Sequence, residues 1–373
     1  MENNGMHVEL TPKQTRRVVP TPYLQQTAYW SRLKQKQGRT TKAFDIVVDS
    51  GGTTGRPEPD GDMLVVLRDL APGVTMAYVP FGPELLPDQE LRGAWLEDIS
   101  EQMRRHLPEN CVFIRYDLPW RSPWADEPDR YEKKECWMGP PKARIQEMRM
   151  NFATEHWNLR KAPTDLLPPD TVLVDVSRDR DRILSRMKPK TRYNIGLSKR
   201  KGVQIRNAGI DGLPAWYSLY RQTTARHAMN LNEIDYFEAA LKVHDQDCDS
   251  PAQVQLLLAE VQDRPMAGII LAISGTRATY LYGASSTIPG DRPYMASYAL
   301  QWEAICRARA CGCRDYDMFG VSPSPMPGHP MFGLYRFKTG FGGRMQHRQG
   351  CWDYPLDQAR YDLYRASELI GRG

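Results

Sequence analysis

Long hydrophobic runs are missing from this sequence. The chain has 373 residues, and no apolar stretch approaches the ~20 residues that a membrane-spanning helix needs. The first residues, Met-Glu-Asn-Asn-Gly, are polar and lack the apolar centre of a secretory signal. We therefore expect a cytoplasmic protein without a membrane span.

Metal-binding patterns are also scarce. The seven cysteines are scattered, and the close pair Cys311 and Cys313 has no second pair to complete a zinc site. The seven histidines show no H-E-x-x-H spacing. We expect reduced thiols, no metal and no other cofactor.

Acidic residues are absent from one segment, between Arg182 and Ile210, which contains nine Lys or Arg residues. The whole chain is close to balance, with 50 basic and 45 acidic residues. The local excess is therefore a focused positive field, and such fields attract phosphate groups. Pro189 suits the first turn of a helix and Gly202 suits a left-handed cap, so a helix of about three turns is predicted between them.

The faces of this helix follow from its spacing. Arg192 and Lys199 are seven residues apart and would share one face, whereas Arg200 would point away from them. Tyr193 and Leu197 are four residues apart and are predicted to anchor the helix to the protein. A plain solvated surface helix is the alternative interpretation of the segment.

The order of predicted elements repeats along the chain. Three strands, a helix and a strand follow one another around residues 44–117 and again around residues 254–318, which indicates an internal structural duplication. Strands that alternate with helices imply mixed α/β layers. The segment Leu166–Pro169 is the linker candidate between the two halves.

Four segments lie outside this repeating order or complete it. Residues 1–20 look irregular, and residues 85–106 show the period of an amphipathic helix. Residues 118–144 are rich in Pro, Trp and charge, and are predicted to form a long surface loop over the site. A C-terminal helix around residues 356–370 is predicted to pack on the first half.

The basic segment, Lys188-Pro-Lys-Thr-Arg-Tyr-Asn-Ile195 followed by Gly202-Val203, resembles the signature of the FemABX family. Other stretches resemble the family in the same order; they are Gln26–Trp30 with Lys34, Tyr78–Pro83, Phe113–Asp117, Thr224–His227 with Tyr236–Phe237, Tyr280–Ala284, Tyr316–Gly320 and Gly333–Phe341. The similarity covers nearly the whole chain. It implies an α/β fold of two tandem acyltransferase-like (GNAT-type) domains that face a cleft, in the short form without a coiled-coil arm. The expected domains are residues 1–165, completed by residues 350–373, and residues 166–349.

The resemblance also implies an activity. FemABX proteins are peptidoglycan-bridge aminoacyltransferases, which pass an amino acid from aminoacyl-tRNA to the side-chain amine of the stem peptide. The expected partners are thus an aminoacyl-tRNA donor and a peptidoglycan precursor, either lipid II or UDP-MurNAc-pentapeptide. We expect a monomer, and the net charge of +5 would suit peripheral contact with the anionic inner membrane surface.

Lys338 is the catalytic candidate that the resemblance implies. In the armless form, the Lys that follows Phe at this place, here Phe337, lies by the scissile ester, where an ammonium would stabilise the oxyanion. The alternative is a surface lysine in a Gly-rich turn. Asp117 matches a family acid near the acceptor amine and would serve as a base or orienting group. The short form has Tyr five residues before this Asp, whereas this chain has Val112, so one acceptor contact is expected to be missing or replaced.

Several other residues match family positions that bind the acceptor. Lys34 and Arg226 match the residues that grip its phosphates, one from each half, although Lys34 could equally be an ordinary surface charge. Tyr220, Tyr236 and Tyr282 would line the acceptor groove, and a core position is the alternative for each of them.

The basic segment offers five further candidates for phosphate binding, which are Lys188, Lys190, Arg192, Lys199 and Arg200. They would hold either the diphosphate of the acceptor or the acceptor stem of the tRNA, and the sequence does not separate the two.

Two other functions are also considered. An acetyl-CoA-dependent N-acetyltransferase would need a Q/R-x-x-G-x-G/A loop for the cofactor diphosphate, and no such loop follows a suitable strand. An RNA-binding protein without enzymatic activity would suit a basic helix with Tyr and Trp nearby. Against this reading, the basic segment is single and the rest of the chain is close to charge balance.

Overall fold

The chain folds into two compact units. A computed structural model describes residues 7–49, 58–132, 136–227, 231–243 and 248–370. Unit 1 comprises Met1–Val19, Gln25–Pro169 and His347–Gly373. Unit 2 comprises Pro20–Leu24 and Asp170–Gln346. Strands and helices are mixed in both units, so the predicted α/β class is confirmed.

The described β-strands, in chain order, are β1 (His7–Lys13), β2 (Thr41–Asp49), β3 (Gly61–Ala71), β4 (Val74–Val79), β5 (Cys111–Arg121), β6 (Tyr131–Glu132), β7 (Cys136–Trp137), β8 (Arg160–Lys161), β9 (Asp170–Asp175), β10 (Gln204–Asn207), β11 (Ala252–Val261), β12 (Arg264–Ser274), β13 (Arg277–Ser285), β14 (Asp315–Gly320) and β15 (Arg344–Pro355).

The described α-helices, in chain order, are α1 (Ala28–Lys36), α2 (Arg92–Arg104), α3 (Ala143–Met150), α4 (Arg180–Arg186), α5 (Pro189–Arg200), α6 (Leu213–His227), α7 (Ile234–Lys242), α8 (Ala296–Ala310), α9 (Phe332–Thr339) and α10 (Gln358–Ile370). Among these described helices, none has the length and apolar character that a membrane span requires.

The two units repeat one sheet arrangement. In unit 1 the strand order is β1-β2-β3-β4-β5-β15, and only β4 and β5 in this order are parallel, with α2 between them in sequence. In unit 2 the order is β10-β11-β12-β13-β14-β9, and the parallel pair is β13 and β14, with α8 between them. The predicted internal duplication is therefore confirmed, because each unit runs through three antiparallel strands, a crossover helix and a parallel strand.

The core of unit 1 forms between its sheet and α2. Trp95, Leu96, Ile99 and Met103 lie at helical spacing on one face of α2, and all four are buried against the strands. The helix begins at Arg92 rather than near residue 85, because residues 85–91 contain a proline and a turn instead of a helical hydrogen-bond pattern.

Two predictions for unit 1 are wrong. Residues 7–13 are not irregular, since β1 pairs with β2 along its full length and places Val8 and Leu10 in the core. Residues 118–144 are not a single surface loop, since β5 continues to Arg121 and buries Leu118 and Trp120. In β1 a short alternation of apolar and polar residues builds the strand, whereas the end of β5 is buried on both faces and shows no alternation.

In unit 2, the helix predicted between Pro189 and Gly202 is confirmed. Pro189 is the first residue of α5, and Gly202 follows its end with a φ of +74°. The predicted anchoring face is wrong, because Tyr193 is 61% exposed. The buried residues of α5 are instead Thr191, Asn194 and Ser198, whose small side chains allow close packing against α8.

A buried ion-pair network fastens α10 to the sheet of unit 1. Arg115 on β5 donates to both oxygens of Asp353 (2.7 and 2.8 Å) and to both oxygens of Glu368 (2.8 Å each). The side chains of Arg115 and Asp353 are completely buried, and the Tyr361 hydroxyl donates to Asp353 at 3.0 Å. Bidentate pairs of this kind are strong and directional. The predicted packing of the C-terminal helix on the first half is confirmed.

Replacing Arg115 with Met would leave two carboxylates without their cation in a buried place. We expect R115M to lower the free energy of unfolding of unit 1 by about 3–5 kcal/mol, measured by urea denaturation. The exposed pair of Arg104 and Glu101, 2.8 Å apart, supplies the control. R104M should cost less than about 1 kcal/mol. Similar small losses in both variants would show that the network does not hold α10.

Candidate active site

Lys338 lies in the last turn of α9 and is only 4% exposed. Its Nζ donates hydrogen bonds to the carbonyl oxygens of Gly320 (2.6 Å) and Phe319 (3.3 Å) at the end of β14. The same nitrogen is 5.1 Å from the ring centroid of Tyr280. The alternative of a surface lysine in a Gly-rich turn is therefore excluded.

The irregular end of β14 makes these two carbonyl groups available. The register against β9 shifts between Asp317 and Gly320, and Phe319 adopts a left-handed φ of +58°. Asp317 stabilises this turn, because its Oδ1 accepts from the Phe319 N–H at 2.8 Å and from the Thr171 hydroxyl. A left-handed non-glycine residue costs free energy and persists only where its surroundings hold it.

Burial sets the charge state of the candidate lysine. It lowers the pKa of Lys338 from 10.5 to about 7, although the nearby carboxylate of Asp317 opposes this shift. At neutral pH the ammonium and amine forms are therefore both populated. Asp317 and Tyr280 have one signal in the sequence, which is their place in stretches that resemble the family.

Phe337 and Gly340 fix the position of α9, the helix that carries Lys338. The Phe337 ring packs against Tyr298 (5.0 Å between centroids) and Phe341 (5.3 Å), within the core of unit 2. A Cβ on Gly340 would lie 2.4 Å from Thr191 Oγ1, so only glycine permits this approach of α9 to α5. The structure thus gives Phe337 a packing position, and a catalytic part for it stays a prediction.

The basic helix α5 begins beside the end of α9. The Lys188 N–H donates to the carbonyl oxygen of Gly340 at 2.9 Å, and Lys188 Nζ lies 3.5 Å from Thr339 Oγ1. The five candidate cations of this segment are all exposed, and they are Lys188, Lys190, Arg192, Lys199 and Arg200. The guanidinium of Arg200 lies 5.8 Å from the exposed ring of Tyr193. The structure therefore places the start of the basic helix against Thr339 and Gly340, the two residues that follow Lys338.

The three candidate tyrosines of unit 2 lie together. Tyr282 donates its hydroxyl hydrogen to the Tyr236 hydroxyl at 3.1 Å, and its ring is 6.4 Å from that of Tyr220. Phe237 packs between them, 5.0 Å from Tyr220 and 5.1 Å from Tyr282. Tyr220 is buried, whereas Tyr236 and Tyr282 are partly exposed. The cluster presents flat apolar walls and hydroxyl groups, and its contact with an acceptor stays a prediction.

Lys34 and Arg226 occupy equivalent places in the two repeats. Lys34 is near the end of α1, which connects β1 and β2, and Arg226 is near the end of α6, which follows β10 and precedes β11. Lys34 is half-buried, and its pKa is lowered to about 8 by burial and by the charges of Arg68 and Arg39. Arg226 is exposed and its Nη2 donates to Ser285 Oγ at 3.2 Å.

Lys34 is not an ordinary surface charge. Its Nζ lies 4.5 Å from the centroid of the Trp30 ring and donates to Gln37 Oε1 at 2.9 Å. A cation that is partly desolvated and repelled by two neighbouring guanidinium groups is well suited to accept an anion. Binding of phosphate by Lys34 itself stays a prediction.

Asp117 is fully buried in unit 1. Its Oδ2 accepts the Tyr78 hydroxyl at 3.0 Å and the Leu167 N–H at 2.9 Å. Burial, followed by the charge of Asp165, raises the pKa of Asp117 from 3.8 to about 6. Through these contacts Asp117 fixes the backbone at Leu167. Its action on an acceptor amine stays a prediction. Val112 is completely buried in the core.

The fold is that of a tandem GNAT-type protein. The chain superposes on a protein described as "Crystal structure of FemX" with a TM-score of 0.70 and 17% sequence identity, covering 96% of this chain and 100% of that chain. At this identity the likeness shows the fold alone. It confirms the fold that the resemblance implied, and the described residues between Lys190 and Tyr236 form no coiled-coil arm.

This chain belongs to the FemAB family, whose family model matches residues 17–262 and 250–368. Among similar proteins is a lipid II:glycine glycyltransferase of Staphylococcus epidermidis, 21% identical over an alignment of 253 residues that covers 52% of this chain and 60% of that protein. The protein of the same name in Staphylococcus aureus is 20% identical over 258 residues, covering 52% and 61% of the two chains. The match thus spans about 60% of the length of these curated relatives.

The raised pKa of Asp117 predicts a particular dependence of stability on pH. The carboxyl group is neutral in both states well below pH 3.8, and it ionises first in the unfolded chain, where its pKa is near 3.8. Stability is therefore lost as pH rises towards 6, and the loss is complete above that value. The Asn side chain of D117N cannot ionise. The free energy of unfolding of D117N should therefore rise relative to that of the native chain between pH 4 and pH 7.

Urea denaturation at pH 4, 5, 6 and 7 measures this difference. D126N is the matched control, because Asp126 is an exposed carboxylate of the same unit. If D117N and D126N track the native chain in parallel over this range, the proposed protonation of Asp117 is wrong.

Proposed function

We propose that this protein is an aminoacyltransferase that acts on a peptidoglycan precursor. The donor is aminoacyl-tRNA, and the acceptor is the side-chain amine of the stem peptide on lipid II or UDP-MurNAc-pentapeptide. The observation that carries the proposal is the position of Lys338, which is buried and hydrogen-bonded to the end of β14. The next residue, Thr339, lies beside Lys188 at the start of the basic helix α5. Membership of the FemAB family and the names of the curated relatives support it.

The chemistry of transfer explains why a buried ammonium is useful. The acceptor amine attacks the ester carbonyl, the C–N bond forms, the ester C–O bond breaks, and the proton lost by the amine ends on the departing ribose oxygen. Negative charge develops on the carbonyl oxygen in between. Two hydrogen bonds of Lys338 Nζ reach backbone carbonyls, so its third N–H can meet this oxyanion. Little water is present to screen the interaction.

The position of α5 favours one of its two possible ligands. A tRNA whose ester lies at Lys338 places its terminal phosphates next to that ester. The start of α5 contacts the end of α9, so Lys188 and the cations that follow it are suitably placed for those phosphates. The exposed ring of Tyr193 adds a surface on which a base can stack. We therefore assign α5 to the tRNA.

The acceptor phosphates are assigned to other residues. We propose that Lys34 binds an acceptor phosphate through its half-buried ammonium, and that Arg226 binds one through its exposed guanidinium. Tyr236 and Tyr282 are proposed to contact the sugar or the peptide of the acceptor, because each combines a flat ring with a partly exposed hydroxyl.

Lys338→Met tests the catalytic role directly. In a transfer assay with a panel of charged tRNAs and both acceptors, we expect K338M to reduce kcat by ~10²–10³-fold, with little change in KM for the charged tRNA. Lys242→Met is the matched control, because Lys242 is an exposed lysine on α7 in the same unit. Full turnover by K338M would remove the oxyanion role. Binding of tRNA without any transfer by the native protein would favour an RNA-binding protein instead.

The pKa of Lys338 predicts the sign of the pH dependence. Because the ammonium is the active form and its pKa is about 7, the kcat/KM of the native protein relative to that of Lys338→Arg should fall as pH rises above 7. Lys338→Arg keeps its charge at all accessible pH values, so its residual kcat/KM should follow only the deprotonation of the acceptor amine. The measurement is the pH profile of both proteins between pH 6 and pH 9. A ratio that rises through pH 7 would instead make the neutral amine of Lys338 a base.

A further inference from the structure

An arginine-lined cleft lies in unit 1, apart from every residue assigned above. It opens to solvent, and its empty space, open solvent included, is about 440 Å³. Three guanidinium groups line it from three separate elements, namely Arg92 on α2, Arg149 on α3 and Arg348 on β15. Trp124 and Trp352 contribute aromatic surface. We call this feature the arginine cleft.

The charge of the arginine cleft has one sign. Its other polar lining residues include the neutral side chains of Gln89, Gln146 and Gln349, and no Asp or Glu belongs to the described lining. Glu127 is the nearest recorded counter-charge, and it contacts Arg149 at 3.2 Å from outside the lining. Three guanidinium groups around one concave surface concentrate positive potential there.

Arg92 has two side-chain donors that no described protein group accepts. Its Nε and Nη1 are buried, and neither has a hydrogen-bond partner in the described part of the chain. The recorded contact of its guanidinium is the face of Trp120, 5.7 Å from the ring centroid. Burial and the charge of Arg149 both lower the pKa of Arg92, so the cation is disfavoured as it stands. Burying donors without acceptors costs free energy, which an anionic ligand would offset.

The other two arginines are already held in place. Arg348 is 3% exposed, lies 4.7 Å from the centroid of the Phe81 ring, and donates to the carbonyl oxygen of Pro168 at 3.4 Å. Arg149 lies 4.7 Å from the centroid of the Trp124 ring. Aromatic faces therefore orient both guanidinium groups before any ligand arrives, which reduces the entropy that binding would cost.

The start of α2 adds to the same potential. Arg92 is the first residue of this 13-residue helix, and no side chain caps the helix at Leu91. The first N–H groups of a helix carry partial positive charge and favour an anion. The backbone and the three side chains thus act in the same direction.

We propose that the arginine cleft binds an organic phosphate, with a phosphate or diphosphate group at Arg92, Arg149 and Arg348. Trp124 and Trp352 line the cleft beside the anionic group, and their aromatic surface suits contact with a sugar or a base. The arginine cleft shares no residue with the site of Lys338 or with the acceptor-phosphate contacts proposed for Lys34 and Arg226. It therefore stands whether or not the proposed transfer reaction is correct.

Calorimetric titration of the full chain with inorganic pyrophosphate and with ADP tests this proposal. We expect saturable binding of both, tighter for ADP, and at least a ~10-fold loss of affinity in R92Q/R149Q, as expected for losing a charge-assisted hydrogen bond. The control K34Q/R226Q removes the two other side chains proposed to bind phosphate, and binding at the arginine cleft should persist in this variant. In phosphate-free buffer R92Q/R149Q should unfold in a cooperative melting transition like that of the native chain, which separates lost binding from unfolding.

Three results would overturn the proposal. The first is an absence of binding to the native chain at millimolar pyrophosphate and ADP. The second is unchanged affinity in R92Q/R149Q. The third is loss of binding in K34Q/R226Q, which would place the anion at the transfer site instead. Equal affinity for pyrophosphate and ADP would overturn the organic part of the ligand assignment.

Discussion

The burial of one ammonium group governs the geometry of the candidate active site. Lys338 keeps its position because two backbone carbonyls at the end of β14 accept its hydrogen bonds. Those carbonyls are available because Phe319 is left-handed, and Asp317 holds that conformation. The tight approach at Gly340 fixes α9 from the other side. The Nζ atom of Lys338 is thus positioned by backbone groups and close packing, which tolerate little displacement.

The duplicated sheet gives the chain two similar frameworks that carry different additions. Each unit has three antiparallel strands, a crossover helix and a parallel strand, and each places a cation near the end of a helix between its first two strands, Lys34 in one and Arg226 in the other. Unit 2 adds the basic helix and α9 to this framework, whereas unit 1 adds the arginine cleft and the buried network of Arg115. The specialised chemistry therefore lies in the additions rather than in the repeat.

Local patterns in the sequence predict much of the fold. The strand–helix order, the bounds of α5 between Pro189 and Gly202, and the buried face of α8 follow from turn residues and periodicity. Other features depend on residues far away in sequence, as for Arg115, whose partner Asp353 is 238 positions away. The burial of Lys338 and the exposure of Tyr193 both oppose ordinary residue preferences, so no local pattern could indicate them. The left-handed Phe319 likewise has no sequence signal.

The discontinuity of unit 1 has a consequence for biosynthesis. Residues 347–370 leave the ribosome after residues 170–346, yet they supply the strand next to β5 and the helix that pairs with Arg115. Until then, β5 presents an open hydrogen-bonding edge, and a guanidinium destined for the interior remains in water. The contiguous segment of residues 170–346 is complete earlier. Unit 1 is therefore finished only after that segment has been synthesised, which leaves unit 1 exposed to misassembly in the meantime.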